Sequence, residues 1–558
     1  MNSQLQSDAG RRFLISPFLF CGLLLVPSVI WLWLDHHVWD WDPAEYGYFS
    51  IDLWRILWTE TRLWPWWFFH AVGPKAPTLI WIAHFLLPLR HVLGSAQNVF
   101  NLINLSFQWA SLFLLRQCIH RVSGKKWLAY VMCIWIAGMP MFVGMSQDFL
   151  TEPIQFFAVV FIWYIAVMGQ KWTACRLAAF LLIGGGLVLG AKASTPAYCF
   201  VPGVYALWLL GKKIRERAWG ANLWNGLGMA AGIFHLAILA LWYATNWNGV
   251  MGKIVGASTG GEGCVANEFG YKDTFINKLF FWGTWLKRSV TLDAMAPLLV
   301  FMLVGLVVVS VWVIWCRKDK THCVRWNARV CMLAGLQFVV VLVMLSANIA
   351  TLTRYVYAAI PSLILCLVSL ARAAGGGAAV RLMALGMGIW YTGSHVLLLG
   401  LVPSERVRNA RHWASPERDQ SKLGQVRYVI QLLNIREYSG VYHLCGVDYP
   451  WLSGSTLNFY AALDSLDSGY RTQFGRLGTP VQSTEPAWER VHSQLGSYIA
   501  ASDVWMGKRT DGYGEISREI LRRIKQDPRF ACEDHEALSD IVLYRNVAFG
   551  GKETGGQP

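Results

Sequence analysis

The chain has 558 residues and a mass of 62.9 kDa, with 55% hydrophobic and 15% charged residues and a mean hydropathy of +0.36. Soluble domains carry about 25% charged residues and disordered chains are poor in aromatics, so both classes are excluded. Thirty Trp residues and a net charge of +15 suit a polytopic membrane protein, with Trp at the interfaces and the charge read by its location.

The first apolar run, Phe13–Leu34, follows Arg11-Arg12 and is too long for the apolar core of a signal peptide. It is expected to be retained as a first span. Further runs centre on 99–115, 127–144, 154–168, 177–191, 197–211, 222–244, 294–315, 330–349, 355–371 and 380–402. Lys and Arg collect in alternate loops: Arg116/Arg121/Lys125/Lys126, Lys171/Arg176, Lys212–Arg217, Arg317–Arg329 and Arg372/Arg381. Cation-rich short loops stay cytoplasmic. All of these fall inside, together with the N-terminus, only if 78–91 is an interfacial helix rather than a span. The fold class is therefore expected to be an all-α polytopic membrane domain over 1–402, with about eleven transmembrane helices. The expected setting is a bacterial inner membrane, with the C-terminal domain outside. The positive charge is a topology signal, and nucleic acid is not expected as a partner.

Three pieces are expected outside: a first loop (35–77), a middle loop (246–293) and a C-terminal α/β domain (403–558). In the first, Trp58, Trp64, Trp66 and Trp67 suggest interfacial helices. In the last, helical patterns at Gly424–Arg436 and Ile516–Lys525 accompany strand patterns at Val441–Val447, Ser497–Ser502 and Asp540–Arg545. Cys445 and Cys532 share the outer side, and their pairing is open. Asp448-Tyr449-Pro450-Trp451 is either a sugar-contacting cluster or core.

Asp40, Asp42 and Glu45 lie in Trp39-Asp40-Trp41-Asp42-Pro43-Ala44-Glu45-Tyr46. Three carboxylates there admit three readings: a general base, a divalent-ion site with His36 and His37, or a helix start with Asp42 as cap and Pro43 first. The outer loops also hold Asp148 and Glu152, with isolated cations Lys75, Lys192 and Arg354. Carboxylates and cations at one depth suit activation of an acceptor while a leaving phosphate is neutralised.

The sequence resembles integral-membrane glycosyltransferases of the GT-C fold, of the protein O-mannosyltransferase and lipid A aminoarabinose transferase type. Asp42…Tyr46 matches the Asp and Tyr of their first-loop Asp-Glu-x-x-Tyr motif, and Lys75-Ala76-Pro77-Thr78 stands where they carry Lys-Pro-Pro-Leu. Asp148, Ala191-Lys192-Ala193-Ser194 and Arg354-Tyr355 follow in order. The motif's second acid is Pro43 here, with Glu45 two positions on. The resemblance implies inverting transfer of a sugar from a polyprenyl-phosphate donor to a protein, lipid or glycan acceptor at the outer face. Asp42 would be the base, with Asp40 its competitor and Asp148 a third candidate. Lys75, Lys192 and Arg354, with Tyr46 and Tyr355 beside them, would bind the lipid phosphate. No cofactor is required, and a divalent metal stays open. The alternative is a glycolipid transporter or flippase, for which the Gly184-Gly185-Gly186 interruption is the one pointer.

Overall fold

The computed structural model describes residues 16–259 (apart from 35, 36, 71, 72 and 74), 274–290, 322–347, 353–374 and 388–395, and much of 420–547. The runs at 294–315 and most of 380–402 lie outside the described residues, as do His36 and the Gly-rich end. Five of the described helices are long and apolar enough to cross a membrane, or six if one bent pair counts as a span.

The first apolar run forms α1 (Pro17–Leu23) and α2 (Val26–Leu34). It is followed by α3 (Trp41–Thr59) and α4 (Trp64–His70), whose Trp58 and Trp66 are more than half exposed. Next come α5 (Thr78–Leu86), a 3-10 turn at Leu87–Leu89 and α6 (Arg90–Leu93). This 78–93 segment does not run straight into α7 (Ala96–Ser123), because the two meet at 119°. Gly94 supplies the turn with φ +82°, a conformation that costs glycine little.

The run at 127–144, expected as one helix, is broken into α8 (Lys126–Ala137) and α9 (Pro140–Gly144). Pro140 opens α9, where its missing N–H costs nothing. Then follow α10 (Glu152–Met168), α11 (Ala174–Ala191), α12 (Thr195–Arg215), α13 (Leu223–Thr259), α14 (Phe275–Val290), α15 (His322–Ala347) and α16 (Ile360–Ala374). Helix α13 carries on well past the expected end of its span, so the middle loop begins as a helix.

The Gly184-Gly185-Gly186 run does not interrupt α11. A Cβ on Gly184 would come within 2.8 Å of Ile162, and one on Gly186 within 2.4 Å of His235. These glycines let α10 and α13 approach α11, as small residues do between membrane helices. The sequence's pointer to a transporter is thus a packing feature.

Helix α10 is buried along almost its whole length. Trp163 on it donates to Ser362 Oγ on α16 at 3.1 Å. On α12, Gln337 of α15 bridges the backbone gap before Pro202, accepting from Val201 N–H (2.7 Å) and donating to the Ala197 carbonyl (2.9 Å). A side chain inserted into the helix ladder beside a proline loosens that turn, and the same turn carries Tyr198.

The C-terminal domain contains α17 (Gln420–Leu433), β1 (Tyr442–Cys445), α18 (Gly454–Ser468), β2 (Gln473–Arg476), β3 (Leu495–Ala501), α19 (Gly512–Gln526), β4 (Phe530–Glu533) and β5 (Ile541–Asn546). Its sheet has the order β2-β1-β3-β5-β4, with β1 parallel to β2 and β3, and β5 antiparallel to β3 and β4. Helix α18, β2 and β4 were not expected from the sequence pattern. Successive strand residues face opposite sides. Leu444, Tyr498 and Tyr544 pack with Ile520 and Ile524 of α19, whereas Cys445, Ile499 and Leu543 join the core shared with the membrane helices.

No disulfide joins Cys445 to Cys532. They lie on strands separated by β3 and β5, roughly 14 Å apart at the usual strand spacing, beyond the reach of a disulfide. Trp451 stacks on Tyr449 at 8° and lies under Lys422 Nζ at 4.5 Å. Its ring faces are therefore used within the domain, which is the core reading of that cluster.

Helix α18 lies on α3. A Cβ on Gly47 would come within 2.6 Å of the Phe459 ring, and Phe459 stacks on Trp39 at 4.9 Å. Arg471 pairs with Asp52 and sits 4.4 Å over the Tyr48 ring. The tail domain is thus fixed to the helix that carries the first-loop acids.

Candidate active site

Helix α3 begins at Trp41, with Asp40 in the N-cap position. This corrects the reading of Asp42 as the cap: Asp42 and Pro43 lie in the first turn, and the Asp40 side chain makes no capping hydrogen bond. Residues three and four apart share a helix face, so Asp42, Glu45 and Tyr46 look the same way. Lys75, just before α5, meets all three. Its Nζ donates to Asp42 Oδ1 and Glu45 Oε2, each at 2.8 Å, and lies 4.5 Å from the Tyr46 ring centroid.

The same array continues through the ends of three other elements. Arg354, in a 3-10 turn (Thr353–Ala359) leading into α16, pairs with Asp42 Oδ2 and places Nε 3.1 Å from Glu152 Oε1. Glu152 is the first residue of α10, and Lys192 directly follows α11. Lys192 Nζ donates to Glu152 Oε1 at 2.7 Å and sits 4.6 Å over the Tyr355 ring. Tyr198 holds that turn by donating to the Tyr355 carbonyl at 2.8 Å. The result is one alternating chain, Glu45–Lys75–Asp42–Arg354–Glu152–Lys192, with three negative and three positive groups.

Its electrostatics follow from burial and pairing. At Asp42, burial alone would raise the pKa, but Lys75 and Arg354 outweigh it and hold the carboxyl well below the usual range. At Lys75, burial favours the neutral amine, yet Asp42 and Glu45 override it and raise the pKa. Tyr46 is raised, chiefly by burial. Lys75 is therefore held charged and already oriented by carboxylates.

Asp148 lies apart from this chain. Its Oδ1 lies 3.0 Å from His37 Nε2 and accepts from it in the Nε2–H tautomer, and its loop is tied down by α7. Asn104 donates to the Asp148 carbonyl at 2.7 Å, and Asn101 to that of Gln147 at 3.1 Å. Asp40 is pushed up to about 7, first by burial and then by Asp148 and Asp42, while His37 and Arg354 pull it down.

Every named site residue gathers in this region: Asp40, Asp42, Glu45, Asp148, Lys75, Lys192, Arg354, Tyr46 and Tyr355. The sequence ranked Asp148 above Glu152, but Glu152 is the acid that the cations share. Its signal was an acid at the head of an apolar run, followed by Pro153, opposite two isolated cations. His37 was read only as an interfacial or metal-binding residue. Among the described residues no group of three His, Cys, Asp or Glu side chains could hold a metal ion.

An apolar recess of about 270 Å³ opens one residue from Lys192, lined by Leu189, Ala193, Tyr243, Trp247 and Met251 among others.

No protein-family model matches the chain, and no curated protein matches it. Solved structures do. ArnT from Cupriavidus metallidurans bound to undecaprenyl phosphate superposes with a TM-score of 0.55 at 12% identity, covering 97% of this chain and 99% of that one. The apo state of the same protein gives 0.52 at 13% identity, covering 95% and 97%. At such identity the likeness is one of fold, and it spans membrane and tail domains alike. The chain has a GT-C glycosyltransferase-like fold.

Proposed function

We propose that the protein transfers a sugar, hexose or pentose, from a polyprenyl-phosphate donor to an acceptor at the outer face of the membrane, inverting the anomeric centre. In this reading the membrane domain has about eleven spans, and the N-terminus is cytoplasmic. The observation that carries it is the chain of three cations and three carboxylates, beside an apolar recess, at the ends of apolar helices. Lys75, Arg354 and Lys192 supply charge-assisted hydrogen bonds that a departing phosphate monoester needs. Asp42, Glu45 and Glu152 hold those cations in place before the donor arrives. The recess beside Lys192 offers an apolar wall for the first isoprene units of the carrier. The ArnT structure bound to undecaprenyl phosphate supports a ligand of that class in this fold.

The test is incubation of purified protein in lipid with radiolabelled polyprenyl-phosphate sugars and an acceptor fraction, scoring free polyprenyl phosphate. Acceptor-dependent release that Lys75→Met impairs supports transfer. Binding without release, unchanged by Lys75→Met, refutes it and favours transport.

A further inference from the structure

The transfer proposed above needs a group that takes the acceptor's proton, and the sequence resemblance assigned that role to Asp42. Both carboxylate oxygens of Asp42 are occupied, one by Lys75 and the other by Arg354. Taking a proton would cost it one of these two charge-assisted bonds. A general base works best with a proton affinity matched to the operating pH, and Asp42 is held far from that.

Asp40 has the opposite surroundings. It stands at the N-cap position without capping the helix. Among the described residues its carboxylate makes no hydrogen bond. The charged groups facing it come from four places: Asp148 from the loop before α10, Arg354 from the turn before α16, Asp42 from α3, and His37 from its own segment. The tail domain adds the Tyr460 hydroxyl, which accepts from Trp39 N–H at 3.4 Å. His37 and Asp148 are themselves hydrogen-bonded at 3.0 Å and anchored by Asn101 and Asn104.

We propose that Asp40 is the catalytic base, with the hydrogen-bonded His37–Asp148 pair as its positioning device. The inference rests on the transferase reading and names a residue within that site. In the step, the acceptor oxygen bonds to the anomeric carbon while the bond from that carbon to the phosphate oxygen breaks. The bonding pair leaves with the polyprenyl phosphate, held by Lys75, Arg354 and Lys192. The acceptor's proton passes to Asp40, which later returns it to solvent. The raised pKa of Asp40, about 7, agrees with the geometry: the group is ionised near neutrality and still basic. Asp148 pushes it up and His37 pulls it down, so the two members of the pair act on Asp40 in opposite directions.

The experiment is the pH profile of kcat/KM for polyprenyl phosphate release by the full chain in lipid. The wild type should lose activity below an inflection near 7. Asp40→Asn should lower the rate about 10²–10⁴-fold and abolish the inflection in what remains. Asp148→Asn removes a like charge, so the inflection should move to lower pH. His37→Gln removes the partner that pulls Asp40 down, so it should move to higher pH, each shift being on the order of one unit. Opposite shifts cannot come from a merely structural role. Asp40→Asn with wild-type rate and profile overturns the assignment while leaving transfer intact, and so do shifts of the same sign in the two pair variants. No release by the wild type from any donor overturns the transferase reading itself and this inference with it.

Discussion

Arg354 joins the two halves of the charge chain, touching Asp42 on α3 and Glu152 on α10. Replacing it by Gln leaves both acids without their shared cation. Glu152 is the more sensitive partner, its side chain only 1% exposed against 31% for Asp42. Stranding one member of a buried pair costs about 3–5 kcal/mol; Lys192 still reaches Glu152 at 2.7 Å, so the lower end of that range applies. Removal of one transition-state donor costs about 10²–10³-fold in kcat. Arg354→Gln should therefore lower both melting temperature and turnover. The double variant Arg354→Gln/Glu152→Gln separates the two effects, because it also removes the buried charge that the single change strands. Its melting temperature should return toward wild type while turnover stays depressed. Thermal unfolding in detergent, alongside polyprenyl phosphate release, reads both. Turnover that recovers together with stability in the double variant would refute the argument, since Arg354 would then be a structural strut only.

Other expectations follow from single contacts. Lys75→Met removes the cation between Asp42 and Glu45, and donor binding should weaken, measured as a raised KM or by direct titration. Gly47→Leu drives a side chain into Phe459, which should cost about 1–3 kcal/mol of overpacking and raise protease sensitivity of the tail domain in limited digestion. Asp40→Asn should raise thermal stability at pH 8: a carboxyl lifted from 3.8 to about 7 by folding destabilises the fold increasingly as pH climbs through that window. The gain should vanish near pH 4. Cys445 and Cys532 should both remain reduced by intact mass, with the exposed Cys532 alkylating before the buried Cys445.

Much of this was legible in residue order. The cation-poor loops disclosed Lys75, Lys192 and Arg354 because a lone charge in an apolar, Pro-rich turn has few structural reasons to be there. Hydropathy found α10 and α11 for the same reason that it finds any span. What it missed depends on partners distant in sequence. Nothing local announces that Gly184–Gly186 stay helical, since the reason is Ile162 and His235 on neighbouring helices. Helix α18 was missed because its apolar residues are buried on more than one side, which erases the amphipathic period. Glu152 and Asp148 stand four residues apart in similar company, and only the fold shows that one meets two cations while the other meets a histidine. Asp42-Pro43 admits a cap reading because Asp-Pro is a good helix start, but the helix starts at Trp41 with Asp40 in the N-cap position.

The six-membered charge chain has a consequence for selectivity. With three acids answering three bases, the chain carries no surplus positive charge to attract passing anions. On the transfer reading, a phosphate would have to displace carboxylates already in place, and a free inorganic ion would bring only its charge to that exchange. A ligand tethered by an apolar tail brings a second source of binding, gained away from the charges, to open the pairs. The site would thus stay closed to the abundant phosphate of its surroundings and yield only to phosphate delivered from the bilayer.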